Sequence, residues 1–434
     1  MKQPIPTSRE SVPAIVVLTT PTARKAEEED RAAEMASLLE TAGRSTVGTV
    51  IQHCDKPIGA TYIGSGKIEE IARMAIERGA EEIYFDCSLS PRQQGNIQDV
   101  VKRAVYDYEW LILEIFAGNA RTEEAKLAVE LARAKYLKGR LRRMWTHLDR
   151  QRGGSGPGGS GFLTGTGEKQ IEMDRRQVRT RIQNLEDKLE HIAGRRERVV
   201  AGRSECFNVA LVGYTNAGKS TLMNAMTKAG VLAQDRLFAT LDTRTARLPL
   251  DRHANAVLSD TVGFIRDLPH GLIASFHATL SEVREADLLL HVVDSASHAM
   301  ELQIAAVEGV LTQIGADQVP AIVVFNKSDA AYSRTLVGSY KKRYRHAVSV
   351  SALTGQGLPE LKEAISQAID RRQTRLTLRF SAADGALGAF IRSRARIEDE
   401  QYEGEEAILT IVADEHLHTE LREHPKIVVA VATA

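Results

Sequence analysis

Residues 208–226 read NVALVGYTNAGKSTLMNAM, and no other stretch constrains the fold as strongly. Gly213, four residues, Gly218, Lys219 and Ser220 stand between an apolar run, Val209 to Val212, and a helical STLMNAM. A glycine-rich turn between strand and helix leaves backbone N–H groups at a helix start, where phosphate is held. Such a loop works at the carboxyl end of a strand in a largely parallel sheet, so the chain must contain an open α/β unit. The predicted phosphate-binding residues are Gly213, Tyr214, Thr215, Asn216, Ala217, Gly218, Lys219, Ser220 and Thr221. Lys219 puts positive charge on the terminal phosphates, and the Ser220 hydroxyl is of the kind that ligates Mg²⁺.

Two further segments define the ligand. AVLSDTVG ends in Asp260, Thr261, Val262 and Gly263. Asp260 is placed to hold a magnesium-bound water, and the Gly263 N–H to meet a γ-phosphate. VVFNKSDA runs a strand directly into Asn326, Lys327, Ser328 and Asp329. The Asp329 carboxylate can accept from both the ring N–H and the amino group of guanine, a donor pair adenine lacks. Ser351, Ala352 and Leu353 follow another short strand, where a backbone N–H can meet the guanine carbonyl. Between these motifs LFATLDTRT supplies a first switch, with Phe238, Ala239, Thr240, Leu241 and Asp242 around the nucleotide. Thr240 is the expected second protein hydroxyl on Mg²⁺, with Thr243 and Thr245 the alternatives. The set predicts a Mg²⁺-dependent GTP hydrolase in which Lys219, Thr240 and Gly263 act on the reacting phosphate. Phe264 follows Gly263 where Ras-like GTPases carry a water-orienting glutamine. A phenyl ring cannot bond water, so hydrolysis is expected to be slow until Arg266, His270, His277 or a bound partner completes the site.

A chain of 434 residues holds two to four domains. The pattern predicts an α/β protein of several parts. Residues 1–12 read as a disordered start. Residues 13–120 alternate strands and helices and read as a parallel α/β domain. Residues 121–203 read as a helical hairpin, 204–371 as the P-loop domain with a mixed sheet, and 375–434 as a small α+β domain ordered strand, helix, strand, helix, strand. Cys54, Cys87 and Cys206 are scattered without metal-ligand spacing and fit a reducing compartment. The N-terminus lacks a secretory pattern and no apolar run is long enough to span a bilayer, so a cytoplasmic protein, monomeric when free, is expected.

The hairpin rests on Leu127, Leu131, Ala134, Leu137, Leu141, Met144 and Leu148, and on Val178, Ile182, Leu185, Leu189 and Ile192, each set at alternating helical spacing. Between the two helices, eight of the fifteen residues 153–167 are glycine, which marks 153–169 as a flexible tip. Lys+Arg and Asp+Glu both number 57, so total charge predicts no partner, but 133–152 carries eight Lys/Arg against Asp149 alone. Further arginines stand at 175, 176, 179 and 181. A basic arm with a glycine tip suits RNA, with Trp145, Tyr136 and Phe162 as candidates for stacking. The alternative is a GTP-controlled scaffold whose hairpin docks a protein.

Several segments closely resemble the HflX family of ribosome-associated GTPases. They are TYIGSGKIEEI (61–71), SLSPRQQ (88–94), LILEIFAGNARTEEAKLAVELA (111–132), WTHLDRQRGG (145–154), GTGEKQIEMDRR (165–176), GYTNAGKSTLMN (213–224), LFATLDTRT (237–245) and LSDTVGFIRDLPH (258–270). The resemblance covers about residue 45 to 360 and says little of 375–434. It implies binding to the large ribosomal subunit, hydrolysis stimulated there, and splitting or rescue of stalled ribosomes under heat or other stress, with the hairpin approaching the peptidyl-transferase region. The chain departs from the family at Thr243, where a proline is usual, and in a longer glycine loop with Thr166 and Lys169 where proline and threonine are favoured.

Overall fold

The computed structural model describes residues 11–21, 27–152, 164–201, 206–227, 237–238, 243–250, 256–266, 277–330, 334–344, 346–372, 374–413 and 415–431. The first sheet contains β1 (Val12–Thr20), β2 (Arg44–His53), β3 (Glu82–Phe85) and β4 (Ala104–Tyr106), all parallel in the order β2-β1-β3-β4. Its central strand β1 is buried from Ala14 to Thr20, as expected of a parallel strand covered on both faces. The crossovers are α1 (Glu28–Thr41), α2 (Ser65–Glu77) and α3 (Pro91–Val101). Helix α3 starts where Ser90 and Gln93 form a reciprocal capping box with Pro91 in the first turn.

Helix α4 (Tyr108–Asn119) is mostly apolar, with Leu111, Ile112, Leu113, Ile115 and Phe116 all buried, while Glu114 on its partly exposed side pairs with Arg44 at 2.7 Å. So wide an apolar surface must be covered by neighbours on most of its circumference. Its neighbours in one continuous core include Leu38 and Leu39 of the first unit and Tyr214, Phe238 and Phe264 of the second. Three residues after α4 the chain enters α5 (Glu123–Arg152), which pairs with α6 (Thr164–Ala201) as a long hairpin. Leu127, Leu131, Ala134, Val178, Ile182, Leu185 and Leu189 form its seam. Leu137, counted in that seam from spacing, is instead 40% exposed. Of the tip expected at 153–169, residues 153–163 lie outside the described residues, while 164–169, read as loop for their two glycines, open α6 instead.

The hairpin is rooted at Asp107, which is 0% exposed. Its carboxylate accepts from the Trp110 N–H at 3.0 Å, the Tyr136 hydroxyl at 2.8 Å and the Arg140 guanidinium at 2.5 Å. Tyr136 is therefore packed, under the Arg140 guanidinium and 7% exposed, and is not available for stacking on RNA. The Trp145 side chain and Phe162 lie outside the described residues.

The second sheet joins β5 (Phe207–Gly213), β6 (Arg244–Arg247), β7 (Ala256–Asp260), β8 (Leu288–Asp294), β9 (Ala321–Asn326) and β10 (Ala347–Ser349) in the order β10-β9-β8-β5-β7-β6. Only the β6–β7 pair is antiparallel. Around it lie α7 (Lys219–Thr227), α8 (His277–Arg284), α9 (Met300–Ile314), α10 (Arg334–Arg343) and α11 (Leu358–Arg372). The third sheet follows at once with β11 (Thr374–Ser381), α12 (Gly385–Arg394), β12 (Arg396–Glu403), β13 (Glu406–Ala413), α13 (Glu415–Glu423) and β14 (Val428–Val431). Its antiparallel order β12-β13-β11-β14 is the split βαβ arrangement. Strand β12 was absent from the sequence expectation because RIEDEQYE is polar and acidic. It is an edge strand, where such residues are tolerated. Among the described residues no helix is long and apolar enough to cross a membrane.

Asp107→Ala strands a guanidinium whose side chain is only 14% exposed. The expected cost is about 3 kcal/mol to this unit, read as an earlier urea transition in the Trp110 fluorescence, with the hairpin losing amide-exchange protection at its root.

Candidate functional site

Strands β5, β7 and β9 end on the same edge of the second sheet, and the loops that follow them converge. After β5 the chain makes the tight turn from Gly213 to Gly218 and enters α7 at Lys219. Gly218 has φ +90° and a Cβ there would lie 2.3 Å from the Asn326 amide nitrogen, so only glycine fits. Asn326 explains the closeness. Its Nδ2 donates to the Ala217 carbonyl at 2.9 Å, and its Oδ1 accepts from the Ala352 N–H at 3.0 Å. One buried side chain thus ties the P-loop to the loop 351–353.

Lys219 is 6% exposed and lies across its own loop, donating to the carbonyls of Gly213 at 3.0 Å and Tyr214 at 2.9 Å. Burial pushes its pKa down to about 8, and the Asp260 carboxylate opposes that shift. Gly263 presses against it, since a Cβ at Gly263 would stand 3.1 Å from the Lys219 ammonium. Beneath the loop, His291 on β8 is buried, and burial together with the Lys219 charge lowers its pKa to about 4, so it is neutral at pH 7. The Ser220 hydroxyl donates to Asp260 at 2.6 Å. A hydroxyl and a carboxylate converging at the phosphate end of a P-loop form a hard-oxygen pair of the kind Mg²⁺ takes. Thr215 and Asn216 complete the turn, Asn216 exposed with φ +59°. Thr221 lies in the first turn of α7.

On the base side, Lys327 takes a left-handed φ of +58° and its ammonium pairs with Asp294 at 2.8 Å. Asp294, at the end of β8, was not predicted from sequence; its position after the apolar run LLLHVV was the available signal. The Ser328 N–H donates to the Val350 carbonyl at 3.1 Å. Asp329 and Leu353 are exposed, while Ser351 and Ala352 are buried.

The second segment, Thr261 to Arg266, extends the β5–β7 pairing past the strands. Thr261 donates its hydroxyl to the Leu211 carbonyl at 2.5 Å, and Val262 is buried. The Thr215 N–H donates to the Phe264 carbonyl at 2.7 Å, and the Phe264 N–H to the Gly213 carbonyl at 3.1 Å. The Phe264 ring is 1% exposed, in the shared core.

Long-range contacts that sequence reasoning missed surround this segment. The Tyr214 hydroxyl donates to Glu34 of α1 and accepts from the Arg266 N–H at 3.0 Å. The Tyr108 hydroxyl of α4 donates to the Arg266 carbonyl at 3.0 Å, and the Arg266 guanidinium pairs with Glu27 at 2.9 Å. Arg266 therefore serves the junction with the first unit. Phe238 is held likewise: Asn119 donates to its carbonyl at 2.9 Å, and Phe116 meets its ring edge-on at 4.7 Å. Thr243 donates to Glu282 at 3.4 Å, and Thr245 shares a hydrogen bond with Ser259 at 3.0 Å. Ala239, Thr240, Leu241, Asp242 and His270 lie outside the described residues, as does the His277 side chain.

Family models match three successive stretches: the N-terminal region of GTP-binding GTPases over 29–117, their middle region over 119–203, and the 50S ribosome-binding GTPase model over 208–327. The chain is 42% identical to the GTPase HflX of Magnetococcus marinus, covering 87% of each chain. It is 41% identical to GTPase HflX of Escherichia coli over 85% of this chain and 86% of the relative. Among solved structures, a GTP-binding protein from Sulfolobus solfataricus in complex with GDP is similar at 25% identity and a TM-score of 0.43, over 82% of this chain and 98% of that one.

Asn326→Ala removes both bonds that join the P-loop to the loop 351–353. Guanine-nucleotide affinity is expected to fall at least about 10-fold in titration calorimetry, while the circular dichroism spectrum keeps its wild-type shape.

Proposed function

The chain belongs to the HflX family of GTPases and hydrolyses GTP; from that premise we propose that it binds the large ribosomal subunit and uses GTP to split, recycle or rescue stalled ribosomes in the cytoplasm, under heat or other stress. The observation that carries this reading is the grip of the first unit on the nucleotide loops. Helices α1 and α4 bond to Tyr214, Arg266 and Phe238, and α4 continues into the hairpin. A change of nucleotide reaches the arm through these contacts.

In this reading 13–120 and 121–203 recognise RNA, 204–371 holds nucleotide, and 375–434 is an accessory domain. The P-loop amides of residues 213–221 and Lys219 bind the phosphates. Asp329, Ser328 and the amides of Ser351, Ala352 and Leu353 select guanine, with Lys327 along the base and Asn326 setting the distance between loops. Ser220 and Thr240 would ligate Mg²⁺, with Asp260 behind a bound water. When bound, that ion would supply positive charge to the phosphates. Lys219 and the Gly263 N–H stabilise charge on the γ-phosphoryl oxygens as water attacks. Phe264 offers no hydrogen bond to that water, and Arg266 is engaged with Glu27, which favours a group supplied by the ribosome and hence ribosome-stimulated hydrolysis. The free protein is read as a monomer. A protein-docking scaffold is the second reading, and the basic arm disfavours it.

Sedimentation with purified large subunits over a salt series tests this. Tighter co-pelleting with a non-hydrolysable GTP analogue than with GDP, lost when 153–167 is cut to a short linker, is the expected result. Indifference to nucleotide and loop would remove the ribosomal role. Arg266→Ala is expected to reduce the analogue-over-GDP preference several-fold without abolishing nucleotide binding. Asp329→Asn is expected to lose about 100-fold in GTP affinity and to gain affinity for xanthosine triphosphate, whose carbonyl accepts where guanine donates.

A further inference from the structure

We propose that the Thr215 hydroxyl touches the attacking water and a γ-phosphoryl oxygen, in place of the glutamine absent at Phe264; this rests on the GTP-hydrolysing reading of the site and not on its ribosomal part. Thr215 lies in the P-loop and is 6% exposed. Its Oγ1 is buried and has no hydrogen-bond partner among the described residues. Neighbouring hydroxyls are engaged: Tyr214 donates to Glu34, Ser220 to Asp260 at 2.6 Å, and Thr261 to the Leu211 carbonyl at 2.5 Å. A buried hydroxyl left unbonded costs about 1–3 kcal/mol, and a valine of the same shape would avoid that cost. An orphan of this kind points to a partner that arrives with the ligand.

Position indicates which ligand atoms those are. A Cβ added at Gly263 would lie 2.9 Å from the Thr215 methyl, 3.1 Å from the Thr215 Cα and 3.1 Å from the Lys219 ammonium. Thr215 therefore borders the same small space as Lys219 and Gly263, the two groups assigned to the γ-phosphoryl oxygens. The backbone that carries the hydroxyl is fixed. The Thr215 N–H donates to the Phe264 carbonyl at 2.7 Å, and Tyr214 and Phe264 form a parallel bridge. The Phe264 ring itself is packed in the shared core, 1% exposed. The polar side chain beside the γ-phosphate thus comes from the opposite side of this pairing. Threonine is β-branched and stiff about χ1, and the methyl against Gly263 limits it further. Its hydroxyl is held in advance of the reaction, which is where electrostatic catalysis gains.

A hydroxyl carries one donor hydrogen and two acceptor lone pairs, enough to serve both partners at once. Thr215 Oγ1 accepts a hydrogen bond from the water and donates its own hydrogen to a γ-phosphoryl oxygen. The water oxygen bonds to phosphorus as the bond from phosphorus to the β–γ bridging oxygen breaks, and that electron pair leaves with GDP. The water proton passes to a phosphoryl oxygen of the released phosphate. Thr215 ends with the hydrogen it began with. A single hydroxyl orients water through one contact, so turnover by the free protein is slow and a further group from a partner adds to it.

The test is single-turnover GTP hydrolysis by the full-length protein without ribosomes, alongside GDP affinity by titration calorimetry. Thr215→Val keeps the shape and removes the hydroxyl. Its hydrolysis is expected to slow about 10- to 100-fold, with the half-saturating concentration little changed. GDP affinity is expected to stay at the wild-type level, since GDP has no γ-phosphate. The urea midpoint of the nucleotide-free variant is expected to hold or rise, because an unbonded hydroxyl has been removed. Thr215→Ser keeps the hydroxyl and is expected to recover most of the rate. Wild-type hydrolysis in Thr215→Val would overturn the proposal. So would a Thr215→Ser as slow as Thr215→Val, which would assign the effect to packing of the methyl. If Thr215→Val loses GDP binding, Thr215→Ala against Thr215→Ser decides: equal rates overturn the proposal, and a rate kept by serine alone supports it. No hydrolysis by the wild-type protein would overturn the reading of the site along with the proposal.

Discussion

The segment Phe264 to Arg266 is held from two directions, and the behaviour of the molecule depends on that. On one side its main chain pairs with the P-loop through Thr215 and Gly213. On the other, Arg266 donates its N–H to Tyr214, accepts at its carbonyl from the Tyr108 hydroxyl and pairs its guanidinium with Glu27. Each such bond adds only about 1 kcal/mol net, but leaving a buried partner unmade costs more. The segment therefore cannot follow a γ-phosphate through Gly263 without carrying Tyr108 and α1 along or releasing them. Loop conformation and the packing of the first unit are thereby coupled.

Helix α4 makes that coupling mechanical. Leu111, Ile112, Leu113, Ile115 and Phe116 are buried in a core that includes residues of both units. Separating the units would return much of that apolar surface to water, at about 25 cal/mol per Å². Because α5 begins three residues after α4 ends, and Asp107 holds Arg140 and Tyr136 at its root, the hairpin extends from the helix that touches Phe238 and Arg266.

What the sequence revealed and what it hid divide along physical lines. The P-loop, Asp260–Gly263 and the run from Asn326 were legible because phosphate and guanine demand fixed residue types at fixed local spacing. Glu27, Glu34, Tyr108 and Asn119 were invisible because their partners lie from 119 to 239 residues away, and nothing local distinguishes them from solvated side chains. Asp294 lay between, at a strand end but outside any named motif. Helical spacing placed Leu137 in the seam, yet the phase of α5 turns it outward. Tyr136, attractive as a stacking residue by composition, was claimed by Asp107.

Strand β12 eluded the pattern for a reason that bears on life in the cell. Four of its eight residues, Glu398, Asp399, Glu400 and Glu403, are acidic, and it forms the outer edge of the third sheet. An edge strand offers unpaired backbone groups to any passing extended chain. Charges along it make annealing with an unfolded neighbour costly. The polarity that disguised this strand in the sequence is thus also what guards the open edge of the third sheet against unintended pairing.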